Sequence, residues 1–457
     1  MHFSYRHAIL QNMSSENWYK LDNAAKIMPG TVRGADTRVF RIVCELTEEI
    51  DPEVLQIALE EAVREFPYFN CVLRKGLFWY YLDVSRLCPV VEEDHLPACS
   101  AIYRSGRRNL LYRVSYYGCR INLEMFHALA DGTGGFRFLR RIVINYLRQK
   151  YDIAAGNRED RSSVSERAAD DFNKYYSTAK GTESMLSKMR KRSFQLKGLR
   201  DPLRRSHLIE GRVSAAKFMA AAHSYNTTAG VLMAAIYIKA VLDSMSLRDI
   251  KRPIVITVPV DLRRYFPSVT ARNFFGVVNV EYMPKRLDDS LDDIIAFTEK
   301  AFKELLTKEN ILATMNSGTN YEHNIGIKIV PLVIKELGVS SIGFLAKKGV
   351  TATVSNLGII KLPESFEGYV KQFSAFMSSA KMQVTIATYK DNMVFGFCSS
   401  FEESPVILNF FRILSDFGLS AVIASNDSDI LPEKPVKQKK QKQEKKEKLQ
   451  KAKRPKA

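Results

Sequence analysis

Two periodicities divide the chain. In short runs apolar and polar positions alternate or are continuously β-branched and aromatic; in longer ones apolar residues return every three or four positions. The segments RVFRIVCE (38–45) and WYYLDV (79–84) predict strands. Between them, DPEVLQIALEEAVREFP (51–67) has apolar residues at helical spacing behind Asp51, which predicts a capped helix. RNLLYRVSYY and RINLEMF predict a strand pair turning at Gly118, and GTGGFRFLRRIVINYLRQKY (132–151) predicts a basic amphipathic helix. From about 155 to 206 the periodicity gives way to a charge-dense stretch with room for one or two exposed helices, read as a connector. Two helical runs follow, with Ser214 and Thr228 as their caps. Strands resume at PIVITVPV (253–260), FFGVVNVEYM, VTATVSNLG, KMQVTIATY and MVFGFCSSF, and a helical run then leads into SDFGLS (415–420), to which no role is assigned. Helices and strands alternate through both halves, which predicts an α/β fold.

Length divides this pattern further. A chain of 457 residues exceeds one ordinary core, so two domains with a cleft between them are expected. The formal charge of +18 suggests a nucleic-acid footprint until it is located: half of it, +9, sits in the last 25 residues, 433–457. That tail has almost no apolar residue and is expected to be disordered in isolation. It reads first as a solubilising extension, with contact to anionic membrane or RNA as the other use. The six cysteines form no C-x-x-C pair and read as reduced thiols. The N-terminus shows no signal-peptide pattern, and the longest apolar helical run is broken by Lys239 and Asp243, so a cytoplasmic protein is expected.

The chemistry concentrates at the hinge HALADG (127–132), between a predicted strand and a predicted helix. An imidazole with an ordinary pKa near 6.5 can take a proton and return it within one catalytic cycle. Gly132 permits a sharp turn, and Asp131 either orients the imidazole or locks the loop by pairing with a distant arginine. A packed, hydrogen-bonded core histidine fits the same local pattern. A metal site is disfavoured because one His and one Asp make two ligands and no H-x-x-x-H spacing occurs; a serine hydrolase is disfavoured because no G-x-S-x-G occurs. Downstream, VPVDLRRYFPSVTARNFFG (258–276) carries Asp261, Arg263 and Asn273, and TATVSNLG (351–358) carries Ser355 and Asn356.

This order, H-x-x-x-D-G, then VDLR, then SNLG, resembles the superfamily of CoA-dependent acyltransferases that includes chloramphenicol acetyltransferase, plant acyltransferases, alcohol acetyltransferases and condensation domains of peptide synthetases. The resemblance spans about residues 15–430, and ENWYKLDNAAKIMP (16–29) is similar to the opening of the alcohol acetyltransferase branch. It implies a mixed α/β (α+β) fold of two lobes, 1–185 and 207–432, each with a mixed sheet flanked by helices, and an active-site tunnel between them. It implies that His127 is the general base, that Asp131 pairs with Arg263, that Gly132 keeps the tunnel wall open, and that Ser355 and Asn356 are donors to the oxyanion. No bound cofactor is expected; acyl-CoA is the co-substrate, a small alcohol or lipid the acceptor, and the protein a monomer without a specific nucleic-acid partner. Phe126 stands where condensation domains and chloramphenicol acetyltransferases commonly carry a second His, which favours the single-His branches. Two alternatives stay open: a condensation-like enzyme that takes its acyl group from a carrier protein, and a non-catalytic binding protein of the same fold. The basic stretches RFLRRIV and MRKRSFQLKGLRDPLRR read as solvated faces, with attraction of CoA phosphates as the second reading.

Overall fold

The computed structural model describes residues 18–154, 162–177, 192–203 and 205–426. The terminal tail and its expected membrane or RNA contact lie outside them, as does much of the charge-dense connector.

Strands β1 (Trp18–Lys20), β2 (Val39–Leu46), β3 (Cys71–Lys75), β4 (Tyr80–Val84), β5 (Val91–Glu93), β6 (Tyr112–Tyr117) and β7 (Arg120–Phe126) come from the first half. The second half supplies β8 (His207–Ser214), β9 (Ile254–Asp261), β10 (Phe275–Tyr282), β11 (Ala352–Ile360), β12 (Val370–Met377), β13 (Met382–Tyr389), β14 (Asn392–Ser399) and β15 (Val422–Ser425). They form a small sheet β1-β4-β3, a five-stranded sheet β12-β2-β7-β6-β5 and a seven-stranded sheet β10-β9-β11-β13-β14-β8-β15. Both larger sheets are mixed, with parallel pairs β5–β6, β9–β11 and β11–β13.

The helices form where the spacing places them. Helix α1 (Pro52–Glu65) begins on Asp51, whose carboxylate accepts from the N–H groups of Glu53 and Val54 at 2.9 and 3.2 Å; Leu55, Ala58, Leu59, Ala62 and Val63 make its buried stripe. Helix α2 (Gly132–Tyr151) packs beside it on the five-stranded sheet through Phe138, Leu139, Ile142 and Tyr146. Ser214 and Thr228 cap α3 (Ala215–Ser224) and α4 (Ala229–Leu242), each accepting from the third residue of its helix. Helix α4 is buried on nearly every face, and its apolar run is the centre of the second core. Among the described residues no single helix is long and apolar enough to cross a membrane.

Three features depart from the expected pattern. The second half opens on strand β8 rather than on a helix; its buried positions, Leu208, Glu210, Gly211 and Val213, carry too mixed a chemistry to read as a strand. Helices α5 (Leu291–Leu305), α6 (Lys308–His323) and α7 (Leu332–Lys348) occupy a stretch for which no element is expected, and they precede a last helix, α8 (Pro405–Asp416). Strand β12 leaves the second-half sheet and pairs antiparallel with β2, Ser374 opposite Val43. Its Phe373 stands edge-on to Tyr389 of β13 at 5.4 Å, so one strand joins the two large sheets.

Candidate active site

The hinge is held at both ends by hydrogen bonds. The N–H of His127 donates to the carbonyl of Arg38 at 2.8 Å, and Arg38 is itself in the left-handed region at φ 56°. A side-chain-bearing residue occupies that region at an energetic cost, which the surrounding packing sustains. Four residues on, Asp131 is the cap of α2, its Oδ1 accepting from the Gly134 N–H at 2.9 Å.

Arg263 of VDLR meets Asp131 from across the molecule. Its Nη1 lies 2.8 Å from Asp131 Oδ2 and 2.9 Å from Asp261 Oδ1, and the remaining N–H groups donate to the carbonyls of Thr270 and Arg272. Asp131 Oδ2 also accepts from the Phe274 N–H at 2.8 Å. Burial works against the guanidinium charge, but the carboxylates of Asp131 and Asp261 outweigh it and hold the Arg263 pKa above its ordinary value. Asp131 is thus turned from the imidazole and acts on it through space.

The imidazole has a different hydrogen-bond partner. His127 Nδ1 lies 3.0 Å from Asn273 Oδ1, while Asn273 Nδ2 donates to Asp22 Oδ2 at 3.1 Å. A carboxylate only accepts when ionised, so Asp22 fixes which end of the Asn273 amide faces it. The amide oxygen then faces Nδ1, Nδ1 carries the proton, and the lone pair of neutral His127 is left on Nε2. Asp22 is fully buried, accepts from the Ala25 N–H at 2.8 Å, and lies 3.8 Å from Arg272 Nε. Burial pushes its carboxyl up to about 6, against the opposing charge of Arg272 and these hydrogen bonds. Burial also lowers the pKa of His127, against the negative charge of Asp131 and the bond to Asn273. The rings of Phe40 and Phe275 flank the imidazole with centroids 5.4 Å away on each side.

SNLG reaches the hinge through Leu357. A Cβ on Gly132 would come within 2.9 Å of the Leu357 side chain, so the two motifs are in contact. The strand does not end at Asn356, as the sequence suggests, but continues to Ile360 through a bulge between Asn356 and Ile359. Asn356 is exposed, and its Oδ1 closes that bulge by accepting from the Gly358 N–H at 2.7 Å. Ser355 is half-buried beside it. The arginines of RFLRRIV are partly exposed: Arg137 donates to Val269 O at 2.7 Å, Arg140 to Lys361 O at 3.0 Å, and Arg141 pairs with Glu65.

Sequence reasoning missed Asp22, Arg272, Phe40 and Phe275, and gave Asn273 no role. Asp22 and Asn273 are 251 positions apart, beyond any local pattern. The signal available was an isolated acidic residue inside the apolar stretch YKLDNAA, which is also what a short helical cap looks like.

Compared by sequence, the chain matches no protein-family model and no curated protein. Compared by structure, it matches the trichothecene 15-O-acetyltransferase TRI3 from Fusarium sporotrichioides with a TM-score of 0.58 at 12% identity, over 89% of this chain and 96% of that one. TRI101 of F. sporotrichioides, solved with coenzyme A and T-2, matches with a TM-score of 0.60 at 10% identity, over 89% of this chain and 100% of that one. The first condensation domain of the calcium-dependent antibiotic synthetase matches at 0.59 and 13% identity, over 90% of this chain and 100% of that one. The fold is the one shared by these acetyltransferases and condensation domains, two lobes of mixed sheet flanked by helices.

Proposed function

We propose that the chain is an acyltransferase that moves an acyl group, acetyl or longer, from acyl-CoA to an alcohol, with His127 as general base. The observation that carries this reading is the Asp22–Asn273–His127 chain of hydrogen bonds, which leaves a basic lone pair on Nε2 of an imidazole whose lowered pKa keeps it neutral at pH 7. In the proposed step Nε2 takes the proton of the acceptor hydroxyl as its oxygen attacks the thioester carbonyl. The imidazolium so formed is stabilised by the charge of Asp131 and by Asn273 Oδ1. Collapse of the tetrahedral intermediate breaks the C–S bond, and Nε2 returns the proton to the departing CoA thiolate. Ser355 and Asn356, which precede Leu357 in the chain, are the donors proposed for the oxyanion; loss of one such donor costs about 10²–10³ in kcat.

The test is release of free CoA thiol from acyl-CoAs of graded chain length in the presence of alcohol, amine and lipid acceptors. His127→Ala is expected to lower the rate by about 10²–10⁴ while leaving the unfolding transition in place. Undiminished turnover in a folded variant overturns the mechanism. Turnover with acyl-carrier thioesters but not with acyl-CoA moves the assignment to the condensation class.

A further inference from the structure

Beside β1, next in sequence to Asp22, a cavity of about 700 Å³ opens, within the volume range of sites for small organic ligands. Its walls include the rings of Trp18, Phe78 and Trp79, and Lys20, Lys26 and Lys328 stand among them. No carboxylate lines it among the described residues. Both tryptophans of the chain are here.

The Trp79 indole is clamped by a second cation. Lys335 of α7 is 6% exposed, and its Nζ lies 3.5 Å from the centroid of the Trp79 ring while donating to the carbonyls of Phe78 and Lys328 at 3.0 and 3.3 Å. Burial, and then the charge of Lys26, lowers the Lys335 pKa. The Leu332 N–H donates to the Leu77 carbonyl at 2.9 Å, docking the β3–β4 turn on the start of α7. Around this junction Leu77, Ile329, Val333 and Leu337 stay more than half exposed. An aromatic cleft with an apolar rim, several ammonium groups and no lining carboxylate is complementary to a ligand with a hydrocarbon body and a negative end.

We propose that this cavity binds free single-chain amphiphiles with an anionic head, the rings taking the alkyl chain and the lysines the head. The site stands on its own geometry and does not depend on acyl transfer. Because both tryptophans line it, occupancy reads directly in intrinsic fluorescence. The full-length protein is titrated with decanoate, decyl phosphate and decyltrimethylammonium below their micellar concentrations, and with dioleoylphosphatidylglycerol vesicles. Saturable change of tryptophan emission with either anion, at an affinity about tenfold or more above that for the cation, is expected. The Lys26→Glu/Lys328→Glu variant is expected to lose that preference at an unchanged unfolding temperature. Equal responses to the anions and the cation, a preference that survives the double variant, or a response to vesicles alone overturns the proposal. If the variant is unstable, the ligand comparison on the unmodified protein decides.

Discussion

His127 is flanked by two aromatic rings and bonded through Nδ1, so its basicity is set by neighbours far from it in sequence. If it is the base, kcat/KM falls only as the imidazole gains a proton, and burial has moved that event below its ordinary 6.5. A pH–rate profile is expected to reach its half-maximum below pH 6.5; a half-maximum above that value rules out His127 as the titrating base. Asn273→Ala frees the ring to rotate and exchange tautomers, and misorientation of this kind costs about 10²-fold in rate. The loss is expected in kcat, with little change in KM. Asp22 gives a separate signature. Its folded pKa, about 6, lies above the ordinary 3.8, so its contribution to stability is fully present below that ordinary value and is lost as pH rises through about 6. Urea unfolding across this range is expected to show the stability of the protein, relative to Asp22→Asn, declining as pH rises; a constant difference contradicts the assignment.

At the scale of elements, the five-stranded sheet carries a buried ion network as well as the hinge. Glu124 on β7 is fully buried; it accepts from Arg41 Nε of β2 at 2.8 Å and from Arg113 of β6, and Arg41 also holds Asp94 at 2.7 Å. Removing the shared carboxylate leaves Arg41 with Asp94 alone and Arg113 with Ser100, and breaking a buried pair in this way costs about 3–5 kcal/mol. Glu124→Ala is expected to show that loss in chemical denaturation. Helix α2 has a comparable weak point at its first turn. A Cβ on Gly134 would lie 1.9 Å from the Ala271 carbonyl oxygen, an approach that only glycine allows. Gly134→Ala must therefore push the 271–274 loop, and Asn273 with it, away from the hinge. Loss of both stability and activity is expected, measured by unfolding and by thiol release on the same preparation.

Across the whole molecule the site is a seam. Asp131 and His127 come from one sheet, Arg263 and Asn273 from the loop that joins two strands of the other, and β12 binds the sheets together. Arg263→Ala leaves Asp131 buried without its cation, so stability and rate are expected to fall together, whereas His127→Ala lowers rate alone. Much of this was legible in the chain. The alternation at 38–45 and 120–126, the helical spacing behind Asp51 and the caps at Ser214 and Thr228 are local facts, and local propensity placed those elements within a few residues. HALADG, VDLR and SNLG could be found for the same reason, since each is a short local motif, although SNLG lies within β11 rather than at its end. Strand β8 and helices α6 and α7 escaped because tertiary burial, not periodicity, determines their faces, whereas α5, amphipathic behind its Ser290 cap, was legible and missed.

The sequence by itself determined the main elements of the first half, the hinge with its histidine, and the fold class, because backbone propensity and spacing act over a few residues. Only the tertiary structure decided what His127 touches. Asp22 and Asn273 meet across 251 positions, and burial there moves one carboxyl up and one imidazole down. Hydrogen bonds and desolvation act between groups close in space, and that closeness is not written in any local stretch of the chain.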